Sequence, residues 1–169
     1  KQQLWVRINP LDHPFALADL SAVIGRRPDG IVLPKPYSAR EANLLSDYLD
    51  VLEVRDSIAP GSTKIHVVAT ETAASLATFH TYLEKLTPRL TAMTWGAEDL
   101  SAALGASSNR NPLTGQLDHP YVHAQVMCLS TAKAISAQAV GVVFVDFRNL
   151  EALEQDCIRE RVMGFFGKI

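Results

Sequence analysis

Short apolar runs alternate with longer amphipathic stretches along the whole chain, and this alternation predicts a β/α protein. The apolar runs are rich in Val, Ile and Leu, as expected of parallel strands that helices cover. The predicted strands are residues 4–8, 30–33, 65–70, 91–95 and 141–147. Five strand–helix units result, and no linker divides residues 1–169, so we expect one domain.

The stretches between these strands have the 3.6-residue apolar period of helices. The sequence SARE at residues 38–41 is a capping box, in which the Ser and Glu side chains can bind free N–H groups of the first turn. Ala42, Leu45, Leu49 and Leu52 then fall on one face. The other predicted helices are residues 15–24, 73–86, 120–139 and 149–162. Residues 106–118 are polar and long for a connection, which predicts a mobile functional loop.

Composition excludes several classes of partner. Of 169 residues, 47% are hydrophobic and 20% charged, and the formal net charge is −2, so no basic field attracts nucleic acid or anionic membrane. No apolar run approaches the roughly 20 residues that span a bilayer, and residues 1–10 lack a signal pattern. Two cysteines in helical stretches do not suggest a disulfide framework. A cytoplasmic location is therefore expected.

A charged residue follows or ends each predicted strand. In a parallel β/α barrel the carboxyl ends of the strands meet at one edge, where active sites lie. The sequence therefore predicts a functional site at that edge. The five residues are Arg7, Lys35, Glu71, Asp99 and Asp146.

Glu71 and Asp99 are the most informative pair. They are 28 residues apart (99 − 71), which is one strand–helix unit, so they are expected on neighbouring strands. Carboxylate oxygens suit Mg²⁺ or Mn²⁺, and Mg²⁺ often takes only one or two protein carboxylates. The alternative is that each caps a helix, Glu71 the one starting at Ala73 and Asp99 the one starting at Leu100. Glu98 is expected to face solvent or to support the site.

Two cations accompany the carboxylates. Arg7 could grip a carboxylate or enolate oxygen with its guanidinium fork, or it could form a buried ion pair with Glu71 or Asp99. Lys35 lies between two prolines. A plain surface lysine is the favoured interpretation, with added positive charge at the site as the alternative.

The remaining candidates carry weaker signals. Asp146 either positions the last loop or caps the helix near residue 149. His119 and His123 are four residues apart, which is more typical of a polar helix face than of a zinc site. The dinucleotide, P-loop and serine-hydrolase motifs do not occur.

Four motifs, in this order along the chain, resemble those of a known family: VRINPLDHPFALADL, DGIVLPKPYSARE, VVATETAASL and WGAEDLSAALG. The stretch GFFGK near the end resembles the closing motif of the same family. The resemblance is to citrate lyase β-subunit-like enzymes of the HpcH/HpaI aldolase and malyl-CoA lyase superfamily. It implies a TIM barrel that uses Mg²⁺ to make or break a carbon–carbon bond in acyl-CoA substrates. It further implies that Arg7 is the catalytic contact for the substrate's carboxylate or oxo group. Glu71 and Asp99 would be the metal ligands, with Glu71 also at the substrate.

The chain departs from that family in three places. The family begins with two further strands, the second carrying an acidic L-E-D motif, and it continues into an I-H-P strand. Five strand units cannot close an eight-stranded barrel. We therefore expect an incomplete TIM (β/α)8 barrel that lacks the first two strands and the last. DFRN at Asp146 also replaces a D-T found in the family.

The function expected from the resemblance is a Mg²⁺-dependent carbon–carbon lyase. Its substrate would be a β-hydroxyacyl thioester of the citryl-CoA or malyl-CoA type, on CoA or a carrier protein, and its products an acyl thioester and an α-oxo acid. A class II pyruvate-type aldolase acting on free oxo acids is the alternative enzyme, and a non-catalytic partner subunit is the alternative outside catalysis. The resemblance also implies a homo-oligomer, a trimer or a multiple of one.

Overall fold

The computed structural model describes residues 2–169 and contains one sheet of six parallel strands. Each strand after the first pairs with the strand that precedes it in the chain. The sheet curls into part of a barrel, which confirms the expected incomplete TIM barrel. The strands are β1 Trp5–Arg7, β2 Gly30–Leu33, β3 Lys64–Val68, β4 Leu90–Thr94, β5 Gln138–Gly141 and β6 Gly167–Lys168.

Helices connect consecutive strands and cover the outer face of the sheet. Within residues 2–169, none combines the length and apolar character needed to cross a bilayer. The connections also contain two short 3₁₀ segments, Ile24–Arg26 and Phe79–Leu83. The α-helices are α1 Ala16–Val23, α2 Ala39–Arg55, α3 Ala73–Ala77, α4 Ala97–Ala103, α5 His119–Ala134 and α6 Leu150–Met163.

The start of α2 confirms the predicted capping box. The Ser38 main-chain N–H donates to Glu41 Oε2 at 3.0 Å, and the Arg40 N–H donates to Ser38 Oγ at 3.3 Å. These bonds satisfy N–H groups that the first turn leaves free. The predicted inner face of α2 is buried, with Ala42, Leu45 and Leu49 fully inaccessible and Leu52 half-buried.

The core lies between the helices and the outward side chains of the sheet. Ile65 and Val67 of β3, Met93 of β4 and Ala139 of β5 are fully buried there. Their registers match, since Val67 pairs with Met93 and Met93 with Ala139. Aligned apolar side chains on adjacent strands form a continuous layer, so the predicted buried parallel sheet is confirmed.

The prediction of one helix over residues 73–86 is wrong. The α-helix ends at Ala77, and a 3₁₀ turn follows. Thr78 explains the break, because its Oγ1 donates back to the Ala74 carbonyl oxygen at 3.0 Å and also bonds the Tyr37 carbonyl. A threonine that bonds the main chain in this way competes with helix propagation. Leu83, which a continuous helix with the period of residues 73–86 would have turned inward, is 62% exposed.

The prediction of a strand over residues 141–147 is also wrong. The fifth strand covers Gln138–Gly141 instead, and Val143, Val145 and Phe147 are exposed. Helix α5 ends at Ala134, five residues earlier than expected, because Ser136 adopts a left-handed conformation at φ +60° that turns the chain into β5. The apolar run at 141–147 therefore follows the strand rather than forming it.

The predicted count of five strands is wrong as well. Residues 167–168, within the GFFGKI sequence, form β6 and pair with Val140 and Gly141 of β5. The segment is only two residues long, too short for any periodicity to reveal it. Loop 106–118 contains one antiparallel bridge, between Arg110 and Leu117. Its predicted mobility stays a prediction.

A buried ion pair ties α2 to the amino-terminal ends of β3 and β4. Arg89 Nη1 and Nη2 donate to Glu53 Oε1 and Oε2 at 2.8 and 2.7 Å, and Glu53 is fully buried. The Glu53 carboxylate also accepts N–H bonds from Gly61 at 2.7 Å and Thr63 at 2.8 Å. Burial raises the pKa of Glu53, but these bonds outweigh it and lower the pKa to about 2.

We predict that Glu53→Gln destabilises the fold by about 3–5 kcal/mol, because it removes the buried partner of the Arg89 guanidinium and leaves only the exposed Asp50 carboxylate as a counter-charge. Urea denaturation followed by circular dichroism measures the change. Asp50→Asn is the matched control, since Asp50 also pairs with Arg89 but is 59% exposed. Asp50→Asn should lower the free energy of unfolding by less than about 1 kcal/mol. Equal losses in the two variants would show that burial of the Glu53 pair is not what stabilises this end of the sheet.

The lowered pKa of Glu53 also predicts an acid dependence of stability. In the unfolded chain this carboxyl has its ordinary pKa of 4.5, and in the folded protein about 2. Its stabilisation is therefore complete above the unfolded pKa and is lost as the pH falls towards the folded pKa. Between about pH 6 and about pH 3, the free energy of unfolding should fall more for the wild type than for Glu53→Gln. Parallel curves for the two proteins would contradict this.

Candidate metal centre

The ends of the first four strands bring four charged side chains together. Arg7 is the last residue of β1, and Lys35 follows β2 by two residues. Glu71 follows β3 by three residues, and Asp99 lies in the first turn of α4, just after β4. All four were predicted at this edge, with Arg7 as the substrate contact and Glu71 and Asp99 as the metal ligands. The structure brings all four to the same edge of the sheet.

Glu71 occupies the centre of this group and is buried, with 4% of its side chain exposed. Its Oε2 accepts the main-chain N–H of Lys35 at 2.7 Å, and its Oε1 lies 3.5 Å from Arg7 Nη2. Burial raises the pKa of Glu71 to about 7, with a further contribution from the neighbouring Asp99. The alternative that Glu71 caps α3 is wrong, because Thr72 holds that position and accepts the Ser75 N–H at 3.0 Å.

Asp99 is half-exposed and ionised more readily than Glu71. Its Oδ1 lies 2.8 Å from Lys35 Nζ, and this contact is the main cause of its lowered pKa. The alternative that Asp99 caps a helix starting at Leu100 is wrong, since α4 begins at Ala97 and Gly96 is its cap residue. The carboxylate is nevertheless well placed for the positive end of the helix dipole.

Arg7 has an ion pair on one side and open space on the other. The predicted alternative of an ion pair with Glu71 is confirmed, but the pair is not buried at Arg7, whose side chain is 56% exposed. A guanidinium presents five N–H donors. The exposed donors of Arg7 are therefore accessible to a ligand at this edge.

The preference for Lys35 as a plain surface lysine is wrong. Its ammonium pairs with Asp99 and its main chain binds Glu71, so the alternative of positive charge at the site is correct. Contact with Asp99 raises the pKa of Lys35. The sequence held one usable signal, because Lys35 follows the strand next to β1, just as Arg7 ends β1.

The other predicted candidates lie apart from this group. Asp146 is exposed five residues beyond the end of β5, and α6 is capped by Asn149, which accepts the Ala152 N–H at 3.1 Å. Glu98 is exposed, as expected, and accepts an N–H bond from Asn109 at 2.7 Å. His119 and His123 are exposed on α5, and within residues 2–169 no three His, Cys, Asp or Glu side chains form a metal cluster.

A cleft of about 790 Å³ adjoins the charged group. Its walls are loop 106–118, residues 142–149 and α6, and Trp95, Ala97 and Glu98 line the side next to Asp99. This volume is within the range of pockets that hold small molecules and cofactors. Sequence reasoning missed the cleft, because residues 142–147 were assigned to a strand.

The residues of this edge fit a divalent cation. Two carboxylates from consecutive units supply hard oxygen donors, the number that Mg²⁺ typically takes from a protein. Gly96 makes room for one of them, because a β-carbon at that position would lie 2.7 Å from Glu71 Cγ. The Gly96 main-chain N–H in turn donates to the buried Thr70 Oγ1 at 2.9 Å, which fixes the β4 end beside the β3 end.

A curled parallel sheet with carboxylates and cations at its carboxyl edge is the architecture of TIM-barrel proteins. The chain belongs to the HpcH/HpaI aldolase/citrate lyase family, whose sequence model matches residues 1–169. The predicted membership of this family is confirmed.

Named relatives share this similarity over almost the whole chain. The mitochondrial citramalyl-CoA lyase of Rattus norvegicus is 31% identical, over 96% of this chain and 48% of its own length. The citrate lyase β subunit of Mycobacterium tuberculosis, complexed with oxaloacetate and magnesium, is 27% identical with a TM-score of 0.77, over 97% of this chain and 65% of that one. A further structure, of CitE from the same organism with magnesium, acetoacetate and coenzyme A, has a TM-score of 0.76 at 27% identity and covers 97% and 54%. The chain thus spans about half the length of the curated relatives it matches.

We predict that Gly96→Ala weakens Mg²⁺ binding by more than about tenfold, because the new methyl group displaces the buried Glu71 side chain. Isothermal titration calorimetry with MgCl₂ measures the affinity. Gly167→Ala is the matched control, since a β-carbon there meets no atom within 4 Å. Unchanged affinity in a folded Gly96→Ala protein would show that the position of Glu71 does not matter for the cation.

Proposed function

We propose that this protein is a Mg²⁺-dependent carbon–carbon lyase that acts on a β-hydroxyacyl thioester. The observation that carries the proposal is the grouping of Arg7, Lys35, Glu71 and Asp99 at one strand edge. Binding of an α-oxo acid product requires two kinds of group. Two carboxylates hold the metal cation, and two positively charged side chains bind the anionic oxygens of the acid. The names of the relatives support the same reaction class.

Glu71 and Asp99 would hold the metal. Both follow neighbouring strands, and Lys35 contacts both of them, through its main chain and its side chain. Bound Mg²⁺ would act as a Lewis acid that stabilises negative charge on the carbonyl oxygen of the oxo acid.

Arg7 would bind the carboxylate or oxo group of the substrate. Its guanidinium is held on one side by Glu71 Oε1 and is exposed on the other. A fork of N–H donors matches a carboxylate in two parallel bonds. The same contact would fix the orientation of the acid relative to the two carboxylates.

The cleft beside Asp99 would accept the thioester part of the substrate. Coenzyme A is the favoured carrier, because a structurally similar protein was crystallised with it. A carrier-protein thioester would reach the same cleft. Loop 106–118 forms one wall, so we expect it to order when the carrier binds.

In the cleavage direction, the bond between the hydroxyl-bearing carbon and the α-carbon of the thioester breaks. The hydroxyl group loses its proton and becomes the carbonyl of the oxo acid. The electron pair passes to the thioester enolate, which takes up a proton at its α-carbon to give the acyl thioester. No oxidant or reductant is needed, and Arg7 and Lys35 offset the negative charge of the oxo acid.

The proposal also covers the domain organisation, the location and the oligomeric state of the protein. We propose that residues 1–169 act as one domain in a cytoplasmic homo-oligomer, with a trimer or a multiple of it as the expected state. Sedimentation velocity of the purified protein measures that state.

We predict that Glu71→Gln and Asp99→Asn each reduce Mg²⁺-dependent lyase turnover by more than about a hundredfold, since each removes a charged metal ligand. Cleavage of malyl-CoA and citramalyl-CoA is followed through the α-oxo acid released. Glu84→Gln is the matched control, because Glu84 is exposed after the 3₁₀ segment Phe79–Leu83 and does not line the cleft. Near-normal turnover in either ligand variant would refute the assignment.

The same assay separates the alternatives. Cleavage of free hydroxy-oxo acids in preference to their CoA relatives would favour a class II pyruvate-type aldolase. A well-folded protein without Mg²⁺ binding and without activity on any thioester would favour a non-catalytic partner subunit.

A further inference from the structure

Among residues 2–169, Lys35 is the one cation that contacts both carboxylates directly. Its main-chain N–H donates to Glu71 Oε2 at 2.7 Å. Its ammonium nitrogen lies 2.8 Å from Asp99 Oδ1. The main-chain and side-chain contacts are independent of each other, so they can serve two different purposes.

The main-chain contact is set by local sequence. Pro34 and Pro36 flank Lys35, and both are buried. Each proline ring fixes its own φ, which restricts how the segment can move. Lys35 itself adopts the left-handed region at φ +50°, an uncommon conformation for a residue with a β-carbon. Such a conformation persists only where its surroundings demand it, and here it aims the N–H at Glu71.

The side-chain contact decides the charge of the site. Arg7 and Lys35 contribute two positive charges, and Glu71 and Asp99 contribute two negative charges when ionised. The four groups are therefore formally neutral together. A neutral group attracts a divalent cation less than two carboxylates alone would. It also leaves two positive charges to attract an anion once the carboxylates are engaged by the metal.

We propose that Lys35 balances charge and binds substrate, so that it weakens binding of the metal alone and strengthens binding of the anionic oxo acid. This inference rests on the proposed function. The Lys35 side chain is 42% exposed, which keeps its ammonium within reach of a ligand. An ammonium carries three donors, so contact with one carboxylate oxygen does not exhaust it.

The test compares Lys35→Met with the wild type by isothermal titration calorimetry, first with MgCl₂ alone and then with pyruvate at saturating MgCl₂. Methionine keeps the length and the β-carbon of lysine, so the left-handed main chain and its bond to Glu71 are retained. We expect the Kd for Mg²⁺ to fall roughly three- to tenfold, because one repelling charge is lost in a half-exposed site. The Kd for pyruvate should rise by about tenfold, since an anion loses a charged partner.

Three further variants sharpen the comparison. Lys35→Arg keeps the charge and should bind Mg²⁺ as the wild type does. Lys35→Gln is a second uncharged variant and should repeat the result of Lys35→Met. Lys85→Met removes the same charge from an exposed position after the 3₁₀ segment Phe79–Leu83, and it should change neither affinity. In the lyase assay, the uncharged variants should lose kcat/KM mainly through an increase in KM.

The possible failures can be told apart. A purely structural role for Lys35 predicts that Lys35→Met binds Mg²⁺ equally or more weakly, and that result would overturn this inference while leaving the metal centre intact. A wild-type protein that does not bind Mg²⁺ would instead refute the proposed metal centre and this inference with it.

Discussion

The close approach of Glu71 and Asp99 is the constraint on which the carboxyl edge of the sheet depends. Neighbouring carboxylates repel each other, and burial penalises the charge of Glu71 further. The chain compensates with three contacts, namely the Arg7 guanidinium, the Lys35 ammonium and the Lys35 main-chain N–H. The outcome is an asymmetric pair, in which burial raises the pKa of Glu71 to about 7 while contact with Lys35 lowers that of Asp99. Protein contacts therefore hold both groups in position.

The two edges of the sheet use similar charges in different ways. At the amino edge, Glu53 is fully buried, and both of its oxygens accept bonds from Arg89 and from main-chain N–H groups. At the carboxyl edge, Glu71 is also buried, with 4% of its side chain exposed, but it accepts one short N–H bond and its arginine lies at 3.5 Å. Saturated hydrogen bonding is typical of an ion pair that stabilises the fold. Unsaturated carboxylates beside half-exposed cations are typical of a site for a ligand.

Sequence reasoning succeeded where the signal was regular or local. The strand–helix alternation, the capping box of α2 and the apolar face of that helix all appear in the structure. The placing of Arg7, Glu71 and Asp99 at one edge followed from strand order alone, and their predicted roles remain proposals. Sequence reasoning failed where contacts between distant parts of the chain decide where an element begins or ends. The bonds of Thr78 end α3, the left-handed Ser136 starts β5 early, and β6 is too short to show a period. Lys35 was misjudged because its place after the strand next to β1 was the one available signal, and its flanking residues do not report a carboxylate 64 positions away (99 − 35).

The sequential order of the strands separates two parts of this edge along the chain. All four charged groups come from residues 7–99, the first four strand–helix units, whereas most of the cleft wall comes from loop 106–118, residues 142–149 and α6. The sequences of the two parts can therefore change independently of each other during evolution. Insertions and substitutions downstream of residue 105 can reshape what the cleft admits without disturbing the charged group, so the same four charged side chains can be combined with clefts of different shape over evolutionary time.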